Sequence, residues 1–435
     1  MSICKNLPSH PILRDFTIRA LRIVVTGAML SIPFAQCAAA QETEQDMSAR
    51  IEQLEKQLKD QDQQIESLSR EMGELRNEAG EQARVPPGIL NQATVTLDAV
   101  GAVQASSGAN QTAGGDRTDA NLYLRLGIGL AIDDANRASI ALEDWEGAGL
   151  DDNVATFTGI NETAKPYAGP QLRELWYEHA FGERSILKIG KVDLTVPCGP
   201  KELAFDANAV ANDQCRQFFS SAFVNNPAIE FPDNSFGTAF WHSPAEWLGI
   251  GLGYQEGGED FNDVFRDPFL IMEVDLMPNL RDHPGNYRFY VWRNATDHVQ
   301  FANPENEDEP GTGFGLSADH GLMRETTVFV RAGLQDERVY EVKAFAAAGL
   351  ELRGRLWGRK DDALGLAAGK SFISTDFART ADFKTDDETH LELYYRYQVD
   401  KHLSISPDFQ MVNNPGGDDA AGPVFIGGLR AELGF

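Results

Sequence analysis

The sequence predicts an all-β fold, a transmembrane antiparallel β-barrel of about 16 strands preceded by an N-terminal α-helical coiled coil. Three observations carry this. Apolar and polar residues alternate with a period of two from about residue 93 to the C-terminus. The polar members of that alternation are rich in arginine and glutamate. A strict heptad pattern is confined to residues 42–80, where the composition differs sharply from everything after it.

Residues 1–40 read as an export signal. Lys5, Arg14, Arg19 and Arg22 form a basic start, IVVTGAMLSIPFA (23–35) an apolar core, and Ala38 and Ala40 the small positions before a cut. The run is too short and wrongly flanked for a membrane anchor.

In residues 42–80, Met47, Ile51, Leu54, Leu58, Gln61 and Ile65 recur at alternating steps of four and three, and Leu68, Met72 and Leu75 continue the series. Such a narrow 3.5-residue stripe needs a partner helix, so self-association is expected. Ile at a with Leu at d leans toward a dimer, Met and Gln leave a trimer open, and Gln61 in the seam fixes register. Residues 81–92 are a linker, because Pro86-Pro87-Gly88 stops any helix.

The barrel domain is 93–435. In NLYLRLGIGLAI, Leu122, Leu124, Leu126 and Ile128 share one face, and Tyr123 and Arg125 the other. In VFVRAGLQ, Val328 and Val330 oppose Phe329 and Arg331. ELRGRLWGRK sets Leu352 and Leu356 against Glu351, Arg353, Arg355 and Trp357. HLELYYRYQV sets Leu391, Leu393 and Tyr395 against Glu392, Tyr394 and Arg396. Polar, Gly- and Pro-rich segments such as NPENEDEPGTG (303–313) and NNPGGDDAAGP (413–423) separate the runs. A soluble sandwich also alternates, but the Arg/Glu face decides for a barrel with apolar residues toward lipid and charges toward a wet lumen. Aromatic clusters at YRFYVW (287–292) and YYRY (394–397) are expected to form interfacial girdles. The terminal FIGGLRAELGF keeps its alternation to Phe435, as expected if the last strand closes on one near VTLDAVGAV (95–103).

The formal charge of −28 argues against a nucleic-acid partner, since phosphate is repelled. The sequence contains no G-x-S-x-G elbow, P-loop or H-E-x-x-H, and its His residues are scattered, so neither an enzyme nor a metal site is expected. Cys198 and Cys215 remain after the leader, and an even pair in an exported chain points to one disulfide, against the alternative of two thiols.

GKVDLTVPCGPKELAFDANAVANDQCRQFFSSAFVNNPAIEFP (190–232), WGRKDDALGLAAG (357–369), HLELYYRYQVDKHLSISPDFQMVNNPGG (390–417) and the closing GLRAELGF follow one another in an order that resembles the carbohydrate-selective porins of the OprB family. The resemblance spans most of residues 190–435. It implies an outer-membrane barrel of 16 strands in a Gram-negative bacterium, passing carbohydrates and other small hydrophilic solutes by passive diffusion with no cofactor. Its partners would be those solutes, outer-membrane lipid and the assembly machinery that reads a terminal Phe; the coiled coil lies outside the resemblance and is expected in the periplasm. Arg125, Arg331, Glu351, Arg353 and Arg355 are candidate pore-lining residues, with Trp357, Glu392, Tyr394 and Arg396. Asp206, Asn208, Asn212 and Asp213 are read either as turn caps or as the constriction of a loop folded into the lumen, which a Cys198–Cys215 bridge would stiffen. A general ion- or anion-conducting pore, and a barrel-anchored tether to the cell envelope, are the competing expectations.

Overall fold

The computed structural model describes residues 93–435 apart from 110–114, 168, 196, 197, 199–203 and 281. The leader, the coiled coil of 42–80 and the linker of 81–92 lie outside the described residues. Seventeen antiparallel strands follow in chain order. They are β1 (Ala93–Ser107), β2 (Thr118–Ala131), β3 (Asn136–Glu146), β4 (Gln171–Phe181), β5 (Ser185–Val192) and β6 (Ser235–Ala245), then β7 (Leu248–Gln255), β8 (Phe269–Leu276), a two-residue β9 (Asn279–Leu280), β10 (His283–His298), β11 (Glu309–Met323) and β12 (Thr326–Gln335). The series ends with β13 (Val342–Arg353), β14 (Ala363–Ile373), β15 (Glu388–Gln398), β16 (Leu403–Asn413) and β17 (Val424–Gly434). The short β9 pairs only with the start of β10, so sixteen strands form the wall.

Each wall strand pairs with its chain neighbour, and β1 pairs with both β2 and β17. The sheet is therefore a closed cylinder with no free edge. Asp98 lies opposite Gly434 at the seam, and Leu97 and Phe435 exchange backbone hydrogen bonds of 2.9 and 3.1 Å. The last residue of the chain is held by the first strand, which is why the terminal alternation runs to its end. Phe425 and Leu429 point outward and are 41% and 45% exposed, while Arg430 and Glu432 point inward and are buried.

The two rims differ. At the rim that holds the ends of β1 and β17 the connections are short, such as 132–135, 182–184 and 246–247. At the other rim they are long, and the segments between β3 and β4 (147–170) and between β5 and β6 (193–234) turn back into the cylinder. They bring their own apolar core: Val210, Phe218 and Phe223 pack on Phe329, Phe345 and Tyr394 of the inner wall. Gly253 shows how the wall admits this. A Cβ there would lie 2.7 Å from the Phe205 ring, so only glycine leaves space for the inserted segment.

Two local expectations are corrected. The run 351–359 is not one strand: β13 stops at Arg353, and Gly354–Trp357 form a 3₁₀ turn that ends on Gly358 in the left-handed region at φ 84°. The turn closes through Gly354 N–H to Asp362 O and Arg359 N–H to Gly354 O, both 2.9 Å. The alternation of residue types there corresponds to no face, because three residues per turn put Arg355 and Trp357 on different sides. YRFYVW is mid-strand in β10, not an end girdle. Tyr290 and Trp292 face inward onto the inserted segment and are nearly fully buried, while Phe289 and Val291 face out.

Candidate functional site

The segment 193–234 narrows the lumen, and its anchors are chemically explicit. Asp193 accepts hydrogen bonds from the backbone N–H and hydroxyl of Thr195, both at 2.7 Å, and turns the chain inward as it leaves β5. Cys198 and Cys215 are disulfide-bonded with Cα atoms 5.4 Å apart. Asp206 and Arg331 form an ion pair at 3.1 Å with both side chains fully buried. The same Asp206 accepts from Tyr290 Oη at 3.0 Å and from the Asn226 N–H at 2.9 Å. Arg331 also donates to Asn212 Oδ1 at 2.8 Å and to the Asp206 carbonyl at 3.0 Å. On the facing side Glu392 accepts the backbone N–H groups of Phe219 and Ser220 at 2.6 and 3.0 Å. Arg430 donates to the Gln214 carbonyl at 2.9 Å and lies 4.1 Å over the Phe219 ring.

The residues singled out from the sequence therefore divide into groups. Arg331 and Glu392 are inward wall residues, but they hold the inserted segment and do not border open space. Tyr394 is wholly buried beneath that segment and donates to Glu351 Oε2 at 3.1 Å. Arg125 is inward and bridges Glu143 and Glu174 of β3 and β4. Arg396 lies half-buried on the inner side of β15, and Arg353 stands at the short-turn rim 3.0 Å from Glu351. Arg355 and Trp357 are not on the wall: Arg355 pairs with Glu325 at 3.1 Å, and Trp357 Nε1 donates to Tyr395 Oη at 3.1 Å beside the outer face. Asp206, Asn208 and Asn212 belong to the inserted segment, yet their side chains point to the wall or into the segment; Asn208 donates to Ser317 Oγ at 3.3 Å. Asp213 accepts the backbone N–H groups of Cys215 and Arg216 at 3.0 and 3.1 Å, a turn cap.

Open space lies elsewhere, between β3, β4 and the two inserted segments. This polar cavity has a volume of about 290 Å³. Glu143, Glu162, Asp193 and Asp233 supply carboxylates, Lys165 and Arg173 cations, and Trp145, Gln214 and Asn234 further donors and acceptors. Lys165 Nζ and Arg173 Cζ stand 4.9 and 5.4 Å from the Trp145 ring centroid. Trp145 Nε1 makes no hydrogen bond among the described residues and is buried, so the residue offers the opening its ring and not its N–H. Burial tends to raise the Asp233 carboxyl, but Arg173, donating at 2.8 Å, more than offsets it and holds it down at about 2. Burial pushes Glu162 up, and it pushes Asp151, deeper in the same segment, up to about 7. The sequence reading missed Glu143, Trp145 and Arg173. LEDWE and QLREL do not alternate cleanly, because a register shift at Ala141/Leu142 turns both Arg173 and Glu174 inward, and a two-residue period would in any case give the face of a strand and not which part of the lumen another segment leaves open.

One inner cluster has the residue types of a nucleophilic triad. Ser220 Oγ is 3.4 Å from His390 Nδ1, and His390 Nε2 is 2.7 Å from Glu388 Oε1. All three are buried, and Glu388 also accepts the backbone N–H groups of Gly416 and Phe157 at 2.7 and 3.2 Å. The carboxylate anchors loops, and no substrate reaches the hydroxyl.

A closed sixteen-stranded barrel with a polar lumen narrowed by an inserted segment is the architecture of a porin, a channel and not an enzyme. The chain belongs to the carbohydrate-selective porin, OprB family, whose description matches residues 65–435. It is similar to Porin B of Pseudomonas aeruginosa, 20% identical over 316 residues that cover 61% of this chain and 68% of that protein. An uncharacterised protein of Aquifex aeolicus is 23% identical over 210 residues, 48% of this chain, and the match spans only 56% of that protein's length. Among solved structures, the high-pH form of Pseudomonas putida OprB superposes with a TM-score of 0.65 at 17% identity, covering 84% of this chain and 97% of that one.

Proposed function

We propose that the protein is an outer-membrane porin of a Gram-negative bacterium through which carbohydrates and other small hydrophilic solutes diffuse passively. The observation that carries this is the polar cavity between β3, β4 and the inserted segments, about 290 Å³, which is room for roughly ten waters at ~30 Å³ each. Carboxylates, amides, cations and an indole ring around one opening suit a polyhydroxylated solute, which both donates and accepts hydrogen bonds. The family and the similarity to Porin B support a pore, and the chemistry of the opening supports sugar as cargo. In this reading the outward Phe and Leu side chains meet lipid, the long-loop rim faces the exterior, and the coiled coil stands in the periplasm and associates with other copies.

A second reading has one observation in its favour. Four carboxylates face two cations at the cavity, so a general ion pore would prefer cations to anions. Planar bilayers separate the two. Sugar passage requires steady conductance that glucose or a short oligosaccharide reduces, with the block weakened in Trp145→Ala. Conductance indifferent to every sugar, with a cation-selective reversal potential, establishes the ion pore instead. Deleting residues 42–80 tests the tether: a tether loses envelope integrity, while a porin keeps its conductance.

A further inference from the structure

The outer wall carries an apolar depression of about 540 Å³ where β5, β6, β7, β8 and β10 run side by side. Two successive rows of cross-strand neighbours line it. The lower row is Phe240, Leu252, Met272 and Val291. The upper row, nearer the long-loop rim, is Thr238, Tyr254, Leu270 and Arg293. Thr238 makes the hollow. Its side chain is the smallest of the eight, and its hydroxyl is already spent on the Lys188 carbonyl at 2.8 Å, leaving a methyl to the outside.

Arg293 is the anomaly. It is exposed on the outward face of a strand, and its cross-strand neighbours Leu270 and Thr312 are uncharged. Among the described residues no carboxylate pairs with it. Its row lies one residue from the loop ends of β7 and β8, so it stands at the edge of the apolar band. The loop above leans onto the same place: Tyr254 donates its hydroxyl to the Val264 carbonyl, and Phe265, 79% exposed, puts its ring 6.1 Å from that of Tyr254.

An outward arginine at a membrane boundary is costly unless the guanidinium meets an anion, and its fork of N–H donors matches a phosphate. The hollow directly below it is apolar and open along the wall, the shape and chemistry of an acyl chain. We propose that this patch is a specific binding site for a lipid of the leaflet on the long-loop side whose headgroup carries phosphate monoesters, more highly charged than a phosphodiester, with one such phosphate on Arg293 and one acyl chain in the depression floored by Leu252 and Met272. The proposal rests on the outer-membrane placement argued above, and not on the solute that passes.

The test is native mass spectrometry of the purified full-length protein in mild detergent, titrated with diphosphorylated lipid A and, separately, with phosphatidylethanolamine. One diphosphorylated lipid should be retained per barrel, in preference to phosphatidylethanolamine. Arg293→Gln should weaken its retention at least five-fold, and Thr238→Trp, which fills the hollow, should weaken it comparably. Heat-shift electrophoresis reports the folded barrel and bilayer conductance the pore, and both should stay as in the unaltered protein, so a failed pore and a failed lipid site give different results. Retention unchanged in Arg293→Gln, or equal retention of dephosphorylated lipid A, overturns the proposal. So does a change in oligomeric state with either substitution and no change in lipid, which assigns the patch to a second copy of the chain.

Discussion

The buried Asp206–Arg331 pair ties the inserted segment to the wall more firmly than any surface ion pair. Both side chains are fully out of water, and the carboxylate is completed by Tyr290 and Asn226. Breaking such a pair by removing one partner leaves an uncompensated charge and costs about 3–5 kcal/mol. Asp206→Ala is expected to loosen the segment without opening the barrel. Single-channel recordings should then show larger and noisier conductance, while the folded band on unheated gels persists; a quiet, unchanged pore would show that the pair does not hold the constriction. That Asp206 mattered was legible in FDANAVAND, and its partner was not. Arg331 lies 125 residues away and was read as bordering water, because alternation says that a side chain faces inward but not what it meets there.

At the scale of elements, the two inserted segments differ in what holds them. The segment 193–234 is cross-linked, with the bonded cysteines 17 positions apart. A loop of that size is stabilised by about 3 kcal/mol in the chain-entropy account. Reduction, or Cys198→Ser with Cys215→Ser, should leave the wall strands intact and raise protease sensitivity within 193–234, measured on folded protein; equal cleavage rates would mean that the wall contacts alone suffice. The segment 147–170 is instead expected to respond to pH. Burial holds the Asp151 carboxyl up at about 7, above its ordinary value near 3.8, while its oxygen accepts the Ile160 N–H at 2.7 Å. A raised folded value means that the folded segment binds the proton more tightly than the unfolded one. Stability from this group is full below pH ~4, falls as pH rises, and is lost above about 7. Protection factors across 147–170, from which the intrinsic base-catalysed acceleration of exchange is removed, should fall between pH 5 and 8, and Asp151→Asn should flatten that fall. At the 3₁₀ turn Gly354–Trp357, Leu352 and Leu356 in alternation with Arg353, Arg355 and Trp357 look like a strand until the backbone closes on itself.

For the whole molecule, closure is the controlling fact. Sixteen strands satisfy one another's backbone groups in a ring, and the last joint is made by the final residues. Phe435 exchanges two backbone hydrogen bonds with Leu97, and its ring stacks on His402 with centroids 4.5 Å apart. Removing Phe435 is expected to reduce the yield of inserted barrel several-fold while leaving the conductance of each inserted pore unchanged. Normal insertion of the truncated chain would count against a role for the terminal strand in assembly.

The sequence by itself determined that the wall is β, which side chains of each strand face in or out, and that the chain closes on itself, because a period of two and a half-buried sheet leave little choice. It also marked the Asx-rich stretch 206–213 as turn caps or a loop folded inward, beside the one cysteine pair that follows residue 40. Only the tertiary structure decided what the lumen contains. Phe329 read as a member of a polar face, yet it is buried with Phe345 beneath Phe218 and Phe223, and Arg331 and Glu392 are spent on anchoring. The opening is left to Glu143, Trp145 and Arg173, which no local pattern distinguishes from their neighbours. The physical reason is that facing inward is a local property of a strand, whereas bordering water inside a barrel depends on where a distant segment folds back and what it covers.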